Sequence, residues 1–540
     1  MPKKTRTILV CLGTGCISGG AEQILGSLET ELTRHNLSGA MQIKHTGCHG
    51  FCQRGPLVVI EPEGIFYTKV TPNDIPDIVH SLQPDAVPVE RLLYYDTTIN
   101  RPIKSFRDVP FYYKQQRLVL RNCGVINPEN IDDSLAAGGY QALRKALAMK
   151  PTEIIEEIKK SGLRGLGGAG FPTGSKWEAA FQAPGKVKYI ICNGDEGDPG
   201  AFQDRSVLEG DPHSVLEGMI IAGYTIGAQH GYAYVRNEYP FAVHRLGIAI
   251  KQARERGFLG KNILGSKFSF DVEIFLGAGA FVCGESTALV LSIEGKRGMP
   301  RPLPRPRTTE VGLWEKPTML NNVKTYANIP LIINHGSQWF ASRGSENSKG
   351  TAIFSLTGKV VNSGLIEVTM GTRLREIIYD IGGGIPGGRA FKAVQTGGPS
   401  GGCLPPELLN MPVDFDSLTA AGSMMGSGGM VVMDQDTCMV DIARYFLDFT
   451  QRESCGQCIP CRIGTKQMFD ILDDITKGRG KQEDIDTLLE LGNAIKSASL
   501  CALGQSAPNP VLSTLRYFRD EYEAHIYEGH CPAGVCQGCL

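Results

Sequence analysis

Long apolar runs, a large net charge and a secretion signal are all missing from this sequence. No stretch of about 18 apolar residues occurs among its 540 residues, so no membrane-spanning helix is predicted. Lysine plus arginine (55) and aspartate plus glutamate (56) leave a net charge of −1, which does not favour nucleic acid as a partner. The N-terminal MPKKTRTILVCLGTGC is basic and only briefly apolar, so we expect no signal peptide and a cytoplasmic location.

Cysteine, in contrast, is abundant and grouped. A chain of 540 residues with 42% apolar content should form three to five packed domains, and it contains 16 cysteines. Eleven of these cysteines fall into a group of four near the N-terminus, a later group of four and three within the last ten positions. Disulfides are typical of short secreted chains, whereas grouped thiolates in a reducing compartment indicate metal or iron–sulfur ligands.

The first cysteine group follows two predicted strands. Cys11 and Cys16 come after RTILV, and Cys48 and Cys52 come after MQIKHT, so the four sulfurs can meet at one end of a sheet. The order strand, helix, strand, hairpin, helix predicts a small α/β domain. A zinc ion is the alternative occupant of this site, although zinc sites usually have C-x2-C spacing.

The second group has the spacing of a [4Fe–4S] site. RESCGQCIPCRIG supplies Cys455, Cys458 and Cys461, and Cys501 follows about forty residues later. The residues between them have helical periodicity, so the fourth ligand should return across a small helical bundle. A lone zinc site is the alternative.

A glycine-rich stretch, SGLRGLGGAGFPTGSKW at 161–177, has six glycines and no acidic residue. Glycines let a backbone approach a flat ligand and direct N–H groups at phosphate. Lys176 adds a charge suited to phosphate, and Phe171 could lie on a ring. A flexible surface loop is the alternative interpretation.

Two further segments place polar residues at predicted strand or helix ends. Asn193, Asp195 and Glu196 follow the buried strand VKYIIC, at the position where open α/β sheets bind ligands. Gly284 and Glu285 precede a helix whose free N–H groups suit an anion. Solvated polar turns are the alternative.

Together these segments closely resemble the NADH-oxidising flavoprotein subunit of respiratory complex I, a subunit type shared with NAD-dependent hydrogenases and formate dehydrogenases. The glycine loop resembles the FMN loop of that family, and SCGQC-PCR-G resembles its [4Fe–4S] motif. The N-terminal cysteine pattern resembles thioredoxin-like [2Fe–2S] ferredoxins. The fused N-terminal domain and the cysteine-rich tail are most similar to electron-bifurcating members.

The resemblance implies a set of site residues. Phe171 and Glu285 should lie beside NADH, while Ser286 and Asp198 depart from the glutamates usual in the family. An aromatic residue usual on the adenine side is missing, and Arg305 or Arg307 could replace it. The implied FMN-binding residues are Gly165, Gly167, Lys176, Asn193, Asp195, Glu196, Gly284, Asn321 and Asn322.

The resemblance also implies an α/β multidomain fold. The expected units are a thioredoxin-like [2Fe–2S] domain (1–84), a linker (85–115), an FMN- and NAD(H)-binding domain (116–335), a ubiquitin-like β-grasp domain (336–422), a helical [4Fe–4S] domain (423–524) and a cysteine-rich tail (525–540). We expect Cys123, Cys403 and Cys438 to be buried thiols without ligand partners.

The tail HIYEGHCPAGVCQGCL has the residues for a third metal site. Cys531, Cys536 and Cys539 with His530, or with His525, form a ligand set suited to tetrahedral zinc. A cluster shared with a partner subunit and a frayed tail of free thiols are the alternatives.

The implied activity is that of an NADH:acceptor oxidoreductase subunit. Hydride carries two electrons and a cluster takes one, so a flavin is needed between NAD(H) and the clusters. The sequence has no Ser/His/Asp triad, Walker loop or nickel or molybdenum ligands, so other chemistry should belong to partners. We expect a large hydrogenase- or formate-dehydrogenase-type iron–sulfur subunit, a small thioredoxin-like [2Fe–2S] subunit and, where the flavin bifurcates electrons, ferredoxin. A complex I subunit and a redox-inert zinc scaffold are the alternatives.

Overall fold

The fold was obtained as a computed structural model, which describes residues 6–83, 86–97, 99–302, 304 and 306–539. Three sheets of four, four and five strands account for most of the strands in these residues, and helices fill the remaining layers. None of the described helices combines the length and the apolar character that crossing a bilayer would need. The predicted nucleotide contact Arg305 lies outside the described residues.

The N-terminal unit is a four-stranded sheet with the order β2-β1-β3-β4. Its elements are β1 (Arg6–Cys11), α1 (Thr14–Ser18), α2 (Ala21–Arg34), β2 (Met41–Thr46), β3 (Val58–Glu61), β4 (Ile65–Tyr67) and α3 (Ile75–His80). β1 and β2 are parallel, so the loops that follow them lie at the same end of the sheet. The predicted order of strands and helices is therefore confirmed, and both cysteine pairs lie at that end.

The segment predicted to be a linker contains regular structure. It forms β5 (Tyr94–Asp96), β6 (Arg101–Ile103) and α4 (Pro110–Tyr113). The Phe111 ring stacks on Phe51 with centroids 4.0 Å apart, and the Tyr112 hydroxyl lies 2.8 Å from Nδ1 of His49. Because these aromatic side chains are buried against the N-terminal sheet, the segment joins the core of that unit.

The central unit is a parallel sheet with the order β10-β7-β8-β9. Its strands are β7 (Tyr189–Gly194), β8 (His230–Arg236), β9 (Asp271–Gly277) and β10 (Thr318–Asn322). Its helices are α5 (Ile131–Ala136), α6 (Gln141–Leu147), α7 (Pro151–Ser161), α8 (Thr173–Gln182), α9 (Gln203–Gly210), α10 (Pro212–Ile226), α11 (Pro240–Glu255), α12 (Ser286–Ile293), α13 (Val323–His335) and α14 (Ser337–Ala341). A parallel sheet places all its carboxyl ends at one edge, where ligands bind.

One helix predicted from the sequence is divided in the structure. The spacing of the leucines in this part of the sequence predicts a single helix from Ser134 to Met149, but α5 ends at Ala136 and α6 begins at Gln141. Gly138 has a φ of +92° and Tyr140 a φ of +61°, and neither value is compatible with a right-handed helix. Tyr140 is held there by stacking on Phe258 at 4.0 Å, so tertiary packing overrides the helical periodicity.

Two further units complete the chain. The first is a mixed sheet with the order β12-β11-β15-β13-β14. A ubiquitin-like β-grasp domain was predicted for 336–422, but this unit extends to residue 434, because β15 pairs with both β11 and β13. It contains β11 (Thr351–Gly358), β12 (Gly364–Thr369), β13 (Phe391–Thr396), β14 (Cys403–Leu404), α15 (Phe415–Ala420) and β15 (Gly429–Asp434). The second is helical, with α16 (Met439–Arg452), α17 (Thr465–Thr476), α18 (Asp484–Ala498), α19 (Ala502–Ser506), α20 (Asn509–Tyr517) and α21 (Arg519–Tyr527).

Candidate functional site

The glycine loop between α7 and α8 is closed by its own backbone. The Gly165 N–H donates to the Phe171 carbonyl at 2.8 Å, and the Thr173 N–H donates to the Leu163 carbonyl at 2.9 Å. A Cβ added at Gly167 would come within 3.0 Å of the Cβ of Asn322, so the loop lies against the carboxyl end of β10. The predicted ligand loop is therefore placed at the ligand edge of the sheet.

Two asparagines face each other at that edge. Asn193 at the end of β7 pairs in register with Asn322 at the end of β10. The Asn193 amide donates to the Gly284 carbonyl at 3.0 Å, and its side-chain oxygen accepts from the Asp195 N–H at 3.0 Å. The Asn322 amide donates to the Asp204 carboxylate at 2.6 Å. The structure thus brings residues from three predicted segments to one place.

Asp195 is buried, and neither of its carboxylate oxygens has a hydrogen-bond partner among the described residues. Its side chain is 2% exposed, and this burial raises the pKa of Asp195 to about 8. An unsatisfied buried carboxyl is costly in a protein core, so its presence at the sheet edge fits a ligand that offers hydrogen-bond donors. The ring N–H and ribityl hydroxyls of FMN are such donors.

Glu196 was predicted to bind FMN and Glu285 to lie beside NADH. In the structure the carboxylate of each caps the start of a helix. Glu196 accepts the N–H groups of Asp204 and Arg205 at the start of α9, at 2.8 and 3.0 Å. Glu285 accepts those of Thr287 and Ala288 at the start of α12, at 2.9 and 3.0 Å. Burial raises the pKa of Glu196 to about 7. Both carboxylates are therefore anchored to the backbone beside the site.

Asn321 points away from the other predicted ligands. With its amide oriented to satisfy both neighbours, its oxygen accepts from Nε1 of Trp177 at 3.0 Å and its nitrogen donates to the Leu320 carbonyl at 3.2 Å. Alternate residues of a strand lie on opposite faces, so the structure groups Asn322 with Asn193 and directs Asn321 toward α8.

Phe171 presents an exposed ring between two cations. The ring is 40% exposed, with Nζ of Lys176 6.0 Å and the Arg307 guanidinium 5.7 Å from its centroid. Nζ of Lys176 donates to the Leu320 carbonyl at 3.0 Å, and burial lowers the pKa of this lysine to about 8. Two positive groups around an aromatic face suit a nucleotide, which carries both phosphates and rings.

Sequence reasoning missed a buried ion pair below this edge. Lys324, at the start of α13, lies 2.9 Å from the Asp204 carboxylate, and both side chains are almost fully buried. The only sequence signal for Lys324 was its place next to the asparagine pair in NNVKT. Because Asp204 also accepts from Asn322, the pair fixes the start of α9 against the sheet edge.

The four N-terminal cysteines converge as their spacing predicts. The sulfurs of Cys48 and Cys52 are 3.5 Å apart, and the sulfur of Cys11 lies within reach of both Cys16 and Cys48. A Cβ added at Gly55 would come within 2.7 Å of the Cys16 sulfur, so the cysteine loops are closely packed. Four convergent thiols fit the ligand set of a [2Fe–2S] cluster.

The four later cysteines also lie together. Cys455, Cys458 and Cys461 precede α17, and Cys501 follows the end of α18 and returns to them across the helical unit. The Arg297 guanidinium donates to the Cys455 carbonyl at 2.6 Å. The set fits a [4Fe–4S] cluster, and it packs with residues that flank Gly284, so it adjoins the ligand edge of the central sheet.

The tail contributes to a candidate metal-binding group that differs from the predicted one. Cys438, His525, Cys531 and Cys536 have ligand atoms that all lie within 4.8 Å of one another, and all four residues are buried. Of the two histidines considered from the sequence, His525 belongs to this group, whereas His530 is exposed. The Cys539 sulfur lies 3.6 Å from the Ile475 carbonyl instead. Cys438 was expected to be an isolated buried thiol, and this expectation is corrected because the N-terminus of α16 brings it to the tail.

Comparison with known proteins agrees with this geometry. Residues 1–83 match the family described as thioredoxin-like [2Fe–2S] ferredoxin, residues 158–331 match the Nuo51 FMN-binding domain, and residues 441–525 match the NADH-ubiquinone oxidoreductase-F iron–sulfur binding region.

Individual relatives cover most of the chain. The NADP-reducing hydrogenase subunit HndC of Solidesulfovibrio fructosivorans is 58% identical over 79% of this chain and 87% of its own length. An NADH-quinone oxidoreductase subunit of Rhizobium meliloti is 47% identical over 77% of this chain and 99% of its own length. A solved NAD+-reducing [NiFe]-hydrogenase in the H2-reduced state superimposes with a TM-score of 0.68 at 28% identity, covering 97% of this chain and 84% of that one.

The three expected cofactor types each have a matching domain or region, and both cysteine sets have the predicted convergence. The α/β multidomain fold is likewise confirmed. The chain therefore belongs to the family of NADH-oxidising flavoprotein subunits that combine an FMN-binding domain with iron–sulfur clusters.

Proposed function

We propose that this chain is the pyridine-nucleotide-reacting subunit of a multi-subunit hydrogenase, and that it passes electrons between NAD(H), FMN and iron–sulfur clusters. The observation that carries the proposal is that the ligand edge of the central sheet lies between two cysteine sets. Because FMN is proposed to bind at this edge, we call it the flavin edge. Residues around Gly284 pack with the [4Fe–4S] cysteines on one side. On the other side, α9 runs from the edge to the N-terminal cysteines, where Glu209 accepts from Thr14.

Bound FMN would supply the conversion between the two-electron chemistry of hydride and the one-electron chemistry of the clusters. Gly165, Gly167 and Lys176 hold its phosphate end, where backbone N–H groups and one cation are available. Asn193, Asp195 and Asn322 bind its polar ring or ribityl atoms. Gly284, Glu196 and Glu285 shape the site, the two glutamates through the helix ends they cap. Asn321 does not face the flavin in this proposal. It stabilises the end of β10 through its hydrogen bond with Nε1 of Trp177.

The nucleotide is proposed to stack beside Phe171, with Arg307 near its phosphates. Ser286 replaces the acid usual at this position, so the site has less negative charge to oppose a phosphorylated ribose. The name of the HndC relative, an NADP-reducing subunit, makes NADP(H) the first alternative nucleotide to test. Steady-state rates with NADH and NADPH as donors to an artificial dye would establish the preference.

The partner is proposed to be a large hydrogenase-type iron–sulfur subunit, with a small thioredoxin-like [2Fe–2S] subunit and with ferredoxin as a second acceptor if the flavin bifurcates. HndC and the solved [NiFe]-hydrogenase are hydrogenase proteins by name, which supports this choice over a formate dehydrogenase. Membership of an NADH-quinone oxidoreductase is the alternative function, supported by the 47% identical relative.

Co-purification separates these functions. The chain, isolated with its native partners, should bring down a hydrogenase-type subunit, and its flavin and clusters should bleach under H2 as well as under NADH. Recovery of quinone-reductase subunits, with bleaching by NADH alone, would assign the chain to complex I. A colourless protein would contradict both assignments.

The tail group is proposed to hold zinc. Nε2 of His525 lies 3.6 Å from the Cys438 sulfur and 3.5 Å from the Cys536 sulfur, and these two sulfurs are 3.7 Å apart. Three thiols and one imidazole at such mutual distances suit a closed tetrahedral site. Nδ1 of His525 lies 2.7 Å from the Glu521 carbonyl, which orients the ring as outer partners of zinc ligands do.

Metal analysis tests this ligand set against the one expected from the sequence. The isolated chain should contain about one zinc per chain. Cys536→Ser and Cys438→Ser should each lose it while iron and flavin stay constant. Cys539→Ser and His530→Ala are the matched controls and should retain it. Iron falling in step with zinc would indicate a cluster at this position instead.

A further inference from the structure

Helix α9 joins the flavin edge to the N-terminal cysteine site. At its first turn, Asp204 accepts from Asn322 and pairs with Lys324. At its last turn, Glu209 reaches the loop between Cys11 and Cys16. α9 belongs to the central unit, so this unit supplies groups to a site whose cysteines all come from another unit.

Glu209 makes the most direct contact with that loop. Its carboxylate accepts the Thr14 N–H at 3.1 Å and the Thr14 hydroxyl at 2.5 Å. The Glu209 side chain is 1% exposed, and the Arg205 guanidinium lies 3.9 Å from it. Burial raises the pKa of the Glu209 carboxyl, and the two Thr14 donors and the Arg205 guanidinium oppose this rise because they stabilise the charged form.

The backbones of the two units also touch at this point. A Cβ added at Gly47 would come within 2.2 Å of the Gly210 Cα, so Gly47 must be glycine for the contact to form. Gly47 immediately precedes Cys48, and the same added Cβ would come within 2.7 Å of the Glu209 carbonyl oxygen. The second cysteine loop is therefore held by α9 as closely as the first.

We propose that Glu209 is a positioning residue of the N-terminal [2Fe–2S] cluster, which orders the Cys11–Cys16 loop and lowers the reduction potential of the cluster. A cluster gains negative charge when it is reduced. A fixed carboxylate held beside one of its ligand loops in a buried environment opposes that change. The inference rests on the presence of the cluster in this chain and not on the identity of the partner enzyme.

Redox titration of the whole chain, followed by the electron paramagnetic resonance signal of each cluster, tests the proposal. Glu209→Gln keeps the shape and removes the charge, so the [2Fe–2S] potential should rise. A tenfold change in the reduction equilibrium corresponds to about 59 mV for a one-electron couple, and we expect a rise of about this size. The [4Fe–4S] potential should not change.

A second variant distinguishes charge from structure. Thr14→Val removes the hydroxyl donor and leaves the carboxylate less compensated, so the [2Fe–2S] potential should fall. Glu217→Gln is the matched control, because Glu217 is equally buried but contacts the Leu143 N–H in the central unit. Opposite shifts in the first two variants with no shift in the control support the proposal. An unchanged potential in Glu209→Gln, or potential shifts in the same direction in both variants, would overturn it. If Glu209→Gln does not fold, Thr14→Val is the test: a lower [2Fe–2S] potential supports the proposal, and an unchanged or higher potential overturns it.

Discussion

The Ser427 hydroxyl donates a hydrogen bond to the Asp198 carboxylate, 229 residues earlier in the chain. Asp198 belongs to the acidic turn after β7, whereas Ser427 precedes β15 in the β-grasp unit. A Cβ added at Gly398 would also come within 2.3 Å of the Asp198 carboxylate. The turn at the flavin edge is therefore enclosed by the neighbouring unit, and Asp198 is 7% exposed.

This burial makes stability depend on pH at Asp198. Burial raises the pKa of Asp198 from 3.8 to about 6, so the folded state binds this proton more tightly than the unfolded chain does. The group therefore lowers the free energy of unfolding progressively as pH rises from about 4 to about 6. At about 1.36 kcal/mol per pH unit, the cost above pH 6 is at most about 3 kcal/mol.

Asp198→Asn should remove this cost. In flavin-free protein, the variant should be more stable than the parent above pH 6, and the difference should vanish near pH 4. Denaturant unfolding at several pH values measures it, with Asp416→Asn, at an exposed position, as the control. A stability difference that is constant over this pH range would show that the carboxyl does not titrate as inferred.

Lys176→Glu should release FMN. The substitution places a negative charge beside Phe171 and the glycine loop, where the flavin phosphate is proposed to bind, so we expect flavin affinity to fall at least about tenfold. Flavin absorbance per chain after gel filtration provides the measurement. Lys186→Glu makes the same charge change at an exposed position outside the loop and should retain flavin.

Phe171→Ala should weaken nucleotide binding more than flavin binding. An aromatic stacking contact contributes about 0.5–1.5 kcal/mol, so the KM for NADH should rise by roughly two- to tenfold. Flavin content should stay close to that of the parent, and Phe171→Tyr should restore the KM. Unchanged NADH kinetics in the alanine variant would place the nicotinamide elsewhere.

Cys501→Ser should alter the [4Fe–4S] signal alone. Cys501 is a member of the cysteine set that adjoins Gly284, and the N-terminal set lies in a separate unit. Electron paramagnetic resonance of the reduced variant should therefore retain the [2Fe–2S] signal. Cys403→Ser, at a buried cysteine in β14, is the matched control and should retain both signals. Loss of the [2Fe–2S] signal in Cys501→Ser would show that the two ligand sets are exchanged.

Much of this arrangement was predictable because its signals are local in sequence. Cys11 and Cys16 lie at or just after the end of one strand, and Cys455, Cys458 and Cys461 lie in one short segment, so spacing alone indicates the ligands. The order of strands and helices in the N-terminal unit follows from hydrophobic periodicity for the same reason.

The remainder depends on contacts between distant segments. Cys438 joins His525 and Cys536 only because α16, α21 and the tail pack together, and no sequence spacing encodes that. The break before Tyr140 depends on Phe258, which lies in the turn after α11 and is more than 100 residues away in sequence. The cap made by Glu196 is likewise not predictable, because Glu196 lies seven residues before the first residue of α9, Gln203.

Helix α9 also fixes a length. Its eight residues span about 12 Å, and both of its ends are tied down, by Lys324 at the first turn and by Thr14 at the last. The distance between the flavin edge and the N-terminal cysteines is therefore fixed by a helix rather than by a flexible linker. If FMN and the [2Fe–2S] cluster occupy these two places, the rate of electron transfer between them should not depend on solvent viscosity, because no domain has to move before transfer.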